Sequence, residues 1–166
     1  MDYCAKPHDG LSLYSRLKRW IFQKKSNFNI CELSLKCALK PVSKVTKEDF
    51  LSSDGIIAGS PVYFGTMAAE VKEVFDKFVD IRNKMGDKIG AAFATGADPS
   101  GGKETTIISI IQAMLIYGMI IVGDPLDATG HYGVACNEVP DQRTAIYAAK
   151  MGKRVALLVK KLRNYN

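Results

Sequence analysis

Gly55-Ile56-Ile57-Ala58-Gly59-Ser60-Pro61-Val62-Tyr63-Phe64-Gly65-Thr66 is the stretch from which the rest of the chain can be read. Its first residues form a short apolar run without polar alternation, the pattern of a strand buried on both faces. The run stops at Gly59-Ser60-Pro61, because proline excludes helix from the residue before it. A helical pattern follows: Met67, Val71, Phe75 and Phe78 recur every three or four residues, while Glu70, Lys72, Glu73, Asp76 and Lys77 fall elsewhere. A doubly buried strand followed by an amphipathic helix is half of a βαβ unit, and the chain repeats it. Ile89 to Ala94 is a second strand, a glycine-rich loop leads into an isoleucine-rich helix from Glu104 to Tyr117, and Met119 to Val122 is a third strand. After an excursion, Asp124 to Gly130, the run His131 to Cys136 either resumes or flanks that third strand. The last helix gathers Ala145, Ala148, Gly152, Val155, Val159 and Leu162 on one face. Its opposite face carries Lys150, Lys153, Arg154, Lys160, Lys161 and Arg163, a solvated basic surface.

Working outward, 166 residues that are 47% hydrophobic and 24% charged are expected to form one domain over 1–166. There is no internal repeat or linker, and Lys40 to Lys47 is a surface connection. Before it, Leu13, Leu17, Trp20 and Ile21 predict a basic helix and Asn29 to Leu35 a strand. The net charge of +6 is mild for a soluble surface, and no nucleic-acid partner is expected. Cys4, Cys31, Cys37 and Cys136 form neither a C-x-x-C pair nor a zinc-spaced cluster, so no metal is expected. With no signal-peptide pattern ahead of them, they are expected to be reduced, mostly buried thiols of a cytoplasmic protein. The longest apolar stretch, Ile116 to Val122, is broken by Gly118 and too short to span a bilayer.

Two loops carry the chemistry, both at the carboxyl ends of strands, where open α/β sheets bind ligands. Ser60-Pro61-Val62-Tyr63-Phe64-Gly65-Thr66 combines a rigid proline, two aromatic rings and a glycine before a helix start with unpaired amides. A planar, electron-poor ring with polar edges suits it, although plain packing is the competing reading. Thr95-Gly96-Ala97-Asp98-Pro99-Ser100-Gly101-Gly102 has three glycines, which let backbone approach a ligand without a Cβ in the way. It is not a phosphate-binding P-loop: Gly102 intervenes before Lys103, and Glu104 stands where a magnesium-holding hydroxyl belongs. The dinucleotide pattern G-x-G-x-x-G is absent from the whole chain.

Ser60 to Met67, then Thr95-Gly96, Gly101-Gly102-Lys103-Glu104-Thr105-Thr106 and Tyr117-Gly118-Met119-Ile120-Ile121-Val122-Gly123 together resemble the flavodoxin-fold proteins related to the WrbA-type NAD(P)H:quinone oxidoreductases. The likeness covers 45–162, with 1–44 poorly matched. It implies an α/β three-layer sandwich: a central parallel sheet with helices on both faces. It implies FMN as cofactor, with NAD(P)H and a quinone-like acceptor as partners. Ser60, Pro61, Val62, Tyr63, Phe64, Gly65 and Thr66 would line the flavin ring. Thr95, Gly96, Ala97, Gly101 and Gly102 would wrap its pyrimidine side, and Tyr117 stands where the family often places a histidine. Tyr132-Gly133 matches a family pair. The flavin carries the chemistry, so no catalytic residue is assigned, with His131 the one titratable candidate. A homo-oligomer is expected, although the family's insertion carrying a flavin-covering tryptophan has no counterpart between Phe78 and Lys88. The family's phosphate-cradling turn is not recognisable in Lys6 to Ser12, which has one glycine and one hydroxyl. Two further readings stand beside the reductase: a flavodoxin-type electron carrier, and a flavodoxin-like protein that has lost FMN.

Overall fold

The computed structural model describes residues 35–164. Cys4, the Lys6 to Ser12 segment, the basic helix at Leu13 to Ile21, Cys31 and the strand expected from Asn29 lie outside the described residues.

Thr46 opens the first helix, α1 (Lys47–Ser52), in a reciprocal cap: its hydroxyl accepts from the Asp49 amide while the Asp49 carboxylate accepts from the Thr46 amide. The sheet then forms from β1 (Gly55–Tyr63), β2 (Thr66–Met67), β3 (Ile89–Gly96), β4 (Ile120–Ile121) and β5 (Val134–Asn137). β1 and β3 run parallel, in register from Gly55 opposite Ile89 to Pro61 opposite Thr95. β4 pairs with Ile89 and Gly90, and β5 with Phe93 to Gly96. Since β1 occupies the other side of β3, β4 and β5 share one strand position, and the chain leaves the sheet between them. The run through Cys136 therefore resumes the third strand.

Helices cover both faces, as expected for a flavodoxin-like α/β sandwich. Ala92 and Ala94 of β3 meet α2 (Ala69–Lys77) and α3 (Lys103–Ile116) through Val71, Phe75, Ile107, Ile110 and Met114. Ile89 and Ala91, pointing the other way, meet Met151, Val155 and Val159 of α4 (Gln142–Arg163). Each fully buried aliphatic side chain here stabilises the fold by roughly 1.5–3 kcal/mol.

Several boundaries move. β1 does not stop at Gly59 but runs through Pro61 to Tyr63, because proline forbids helix and not extension. Phe64 and Gly65 then turn the chain back, so that Tyr63 faces Thr66 and Val62 faces Met67. Met67 is thus a strand residue, and the helix waits until Ala69. Phe78 ends that helix, and Val79–Lys84 is a 3₁₀ turn. Gly152 is set off the buried stripe of α4, with nothing within 4 Å of where its Cβ would be. Cys136 is buried as expected, whereas Cys37 is exposed.

Candidate functional site

The turn after β1 is built around a strained aromatic residue. A two-residue hairpin that follows the twist of its strands needs positive φ at both central positions, a place for Asn or Gly. Gly65 meets this at 76°, but Phe64 is held at 50° and its ring is fully exposed. For a bulky residue that conformation is an outlier. The adjoining Tyr63 is half exposed. Ser60 is instead an internal brace: it is 3% exposed, and its hydroxyl accepts from the Ala68 amide at 2.8 Å while donating to the Pro61 carbonyl.

The glycine loop packs directly against this turn. Thr105 Oγ1 donates to the Gly65 carbonyl at 2.6 Å. A Cβ on Gly102, where φ is 58°, would lie 2.9 Å from the Gly65 Cα and 3.1 Å from a Val62 methyl. One on Gly96 would sit 3.2 Å from both Val62 and Lys103. These two glycines therefore let the loops approach each other, where the sequence pointed to approach by a ligand. Gly101 serves its own loop instead, with the Asp98 Cβ 2.9 Å from its Cβ position. The loop is also internally bonded. Asp98 accepts from the Ser100 amide at 2.7 Å and hydroxyl at 2.8 Å, which hold its carboxyl below the usual carboxylate range. Lys103 Nζ closes it on the Asp98 and Pro99 carbonyls. Thr95 is buried at the strand end. The Ala97 and Asp98 amides have no partner among the described residues.

The structure thus brings together Pro61 to Thr66 with Thr95 to Ala97, Gly101 and Gly102 at one edge of the sheet. It does not bring Tyr117 there. Tyr117 precedes β4, at the opposite edge, and is 4% exposed in a cluster with Phe50 and Phe75. Its hydroxyl donates to the Phe75 carbonyl at 2.5 Å, and burial pushes its phenol up to about 12. His131 is exposed just after the excursion and belongs to neither loop. Sequence reasoning missed Asp124, which is 2% exposed and accepts from the Thr129, Gly130 and His131 amides. A lone acid before a proline gave no signal of that role. No group of His, Cys, Asp and Glu among the described residues is placed to hold a metal, and no described helix is long and apolar enough to cross a membrane.

The likenesses agree with this fold. A family model for NADPH-dependent FMN reductase matches residues 19–132. An iron-sulfur flavoprotein of Methanocaldococcus jannaschii is 39% identical over 141 residues, which are 80% of this chain and 72% of that relative. An NAD(P)H dehydrogenase (quinone) of Archaeoglobus fulgidus is 36% identical over 122 residues, 69% of this chain but only 64% of the relative. Among solved structures, a flavodoxin from the domain Archaea matches with a TM-score of 0.67 at 18% identity, over 93% of this chain and 94% of its own. A family match across most of the chain, on a flavodoxin-like sheet with both loops at one edge, makes the affiliation plain: the chain belongs to the NADPH-dependent FMN reductase family.

Proposed function

We propose that this chain binds FMN between its two loops and acts as an oxidoreductase that passes electrons from NAD(P)H to a quinone or similar acceptor. The observation that carries the reading is Phe64, a solvent-exposed ring kept at a φ of 50°. Backbone strain of this kind persists where the surroundings over-determine it and clusters at ligand clamps. The residues present fit the ring half of FMN: Tyr63 and Phe64 offer aromatic surface, and the Ala97 and Asp98 amides offer open donors.

Bound there, FMN would supply the redox chemistry, accepting two electrons from reduced nicotinamide and releasing them to the acceptor. Phe64 and Tyr63 would flank the ring. The Ala97 and Asp98 amides would donate to its pyrimidine edge and favour negative charge there. The partly buried Val62 and the buried Thr95 would form the floor beneath the ring. Lys103 is committed to two loop carbonyls, so it fixes the loop rather than serving as a proton donor. The name of the Archaeoglobus relative supports a quinone as acceptor. The test is anaerobic mixing of FMN-loaded protein with NADPH and then with a quinone. Bleaching of the flavin absorbance followed by its return is expected. A bound flavin that NADPH leaves oxidised would contradict the reductase reading.

A further inference from the structure

The same sheet edge holds groups that the ring loops do not use. A cavity of about 310 Å³ opens beside β5, walled by the first turns of α3 and α4 and by the His131 to Ala135 segment. Arg143 and Glu104 both line it and form no ion pair with each other. Arg143 Nε donates to the Tyr147 hydroxyl at 2.6 Å, and its guanidinium lies 5.4 Å from the centre of that ring. This orients the guanidinium and leaves its two terminal nitrogens without a hydrogen bond among the described residues, with the Asp141 carboxylate as an electrostatic neighbour. Glu104 likewise has no partner among the described residues.

The remaining wall is tied together by hydrogen bonds. Asp124 gathers the excursion around its buried carboxylate, and Arg154 of α4 holds the Gly123 and Asp124 carbonyls at 3.1 Å. Cβ atoms on Gly123 and Gly133 would sit 2.1 Å from the His131 and Ala92 carbonyl oxygens, so only glycine lets the backbones approach this closely there. These contacts set the half-exposed Tyr132 against the cavity. A second cavity, of about 270 Å³, shares Ala135 and Thr144 with the first and reaches Asn137. Asn137 pairs with Gly96 of the ring loop. Gly133 to Asn137 spans about 13 Å of strand, so one trough runs from the ring loop to Arg143.

We infer that this trough seats the reductant, with the phosphorylated adenosine end of the nicotinamide dinucleotide in the Arg143 cavity. The inference rests on the oxidoreductase reading above. A planar guanidinium with free nitrogens matches a phosphate in two-pronged fashion. An unpaired carboxylate nearby accepts from the adenine amino group, and Tyr132 gives the base a ring to lie against. The first cavity is at the small end of ligand sites, sized for one nucleotide rather than a whole dinucleotide. The chain lacks the glycine fingerprint that would anchor a dinucleotide elsewhere.

Calorimetry with 2′,5′-ADP as probe tests the cavity, and steady-state kinetics with two reductants tests its use. Saturable binding of the probe is expected, weakened about tenfold by Arg143→Ala and several-fold by Glu104→Gln, with Tm reported for each variant. Arg143→Ala should raise KM for NADPH about tenfold and leave KM for reduced nicotinamide mononucleotide, which lacks the adenosine, unchanged. No saturable probe binding, binding that both variants leave intact, or an equal KM rise for both reductants would overturn the inference. The probe is read whether or not FMN is loaded, so its failure is separate from a failure to take up flavin, which would overturn the oxidoreductase reading instead.

Discussion

Phe64 and Tyr117 were grouped together by sequence, and their surroundings separate them. Phe64 sits where glycine or asparagine is at ease, so Phe64→Gly should relieve backbone strain and raise stability by about 0.5–1 kcal/mol. The same change removes a ring from the proposed flavin clamp and should weaken FMN binding by about 1 kcal/mol, or about fivefold. Thermal unfolding and flavin fluorescence read the two effects, and unchanged affinity would make Phe64 a turn residue only. Tyr117 should behave the other way. Tyr117→Phe strips a partner from the buried Phe75 carbonyl and should cost about 1 kcal/mol of stability while leaving FMN affinity alone. Because burial, with Asp80 and Asp76 nearby, raises this phenol from 10.0 to about 12, the stabilisation is complete below pH 10 and fades as pH rises towards 12. The wild type should therefore lose stability across that window more steeply than the variant in alkaline melts. A shift in FMN affinity for Tyr117→Phe would return this residue to the flavin. The sequence showed a tyrosine at a helix end but not which edge of the sheet that end occupies.

At the scale of elements, apolar periodicity located β1, β3, α3 and α4, since burial on one or both faces leaves a pattern in composition. It failed where a turn decides. The two-residue hairpin at Phe64-Gly65 lacks the usual Asn-Gly signature, so β2 went unseen and Met67 was assigned to the helix. The split of the third strand was open for a related reason: pairing with either end of β3 depends on the excursion, whose staple is the single buried carboxylate of Asp124. In α4 the stripe was legible at Val155 and Val159, but Met151 and Ala156 are buried beside them, Leu162 is exposed, and Gly152 falls in open space. A glycine in a helix interior that contacts nothing is there at a conformational cost. Gly152→Ala should raise stability by about 0.5–1 kcal/mol in denaturant melts with FMN binding unchanged. A loss of stability would mean that this position is packed.

Across the whole molecule, the fold places both loops and the Arg143 trough at the carboxyl edge of one sheet, while the aromatic cluster around Tyr117 closes the opposite edge. Loop residue types singled out the two loops that the structure brings together, and with them the proposed ring half of the site. The reason for the glycines was not legible, because close approach between two loops and close approach to a ligand demand the same residue. The segment where the family's phosphate-cradling turn was looked for, Lys6 to Ser12, lies outside the described residues, so the ring loops carry the structural argument for FMN. Titrating the purified, flavin-free protein into FMN while following flavin fluorescence tests that argument most directly. Saturable quenching well below ~100 µM, with weaker binding by Phe64→Gly, is the predicted result. No quenching up to ~100 µM, a binding free energy weaker than about −5.5 kcal/mol, would contradict it.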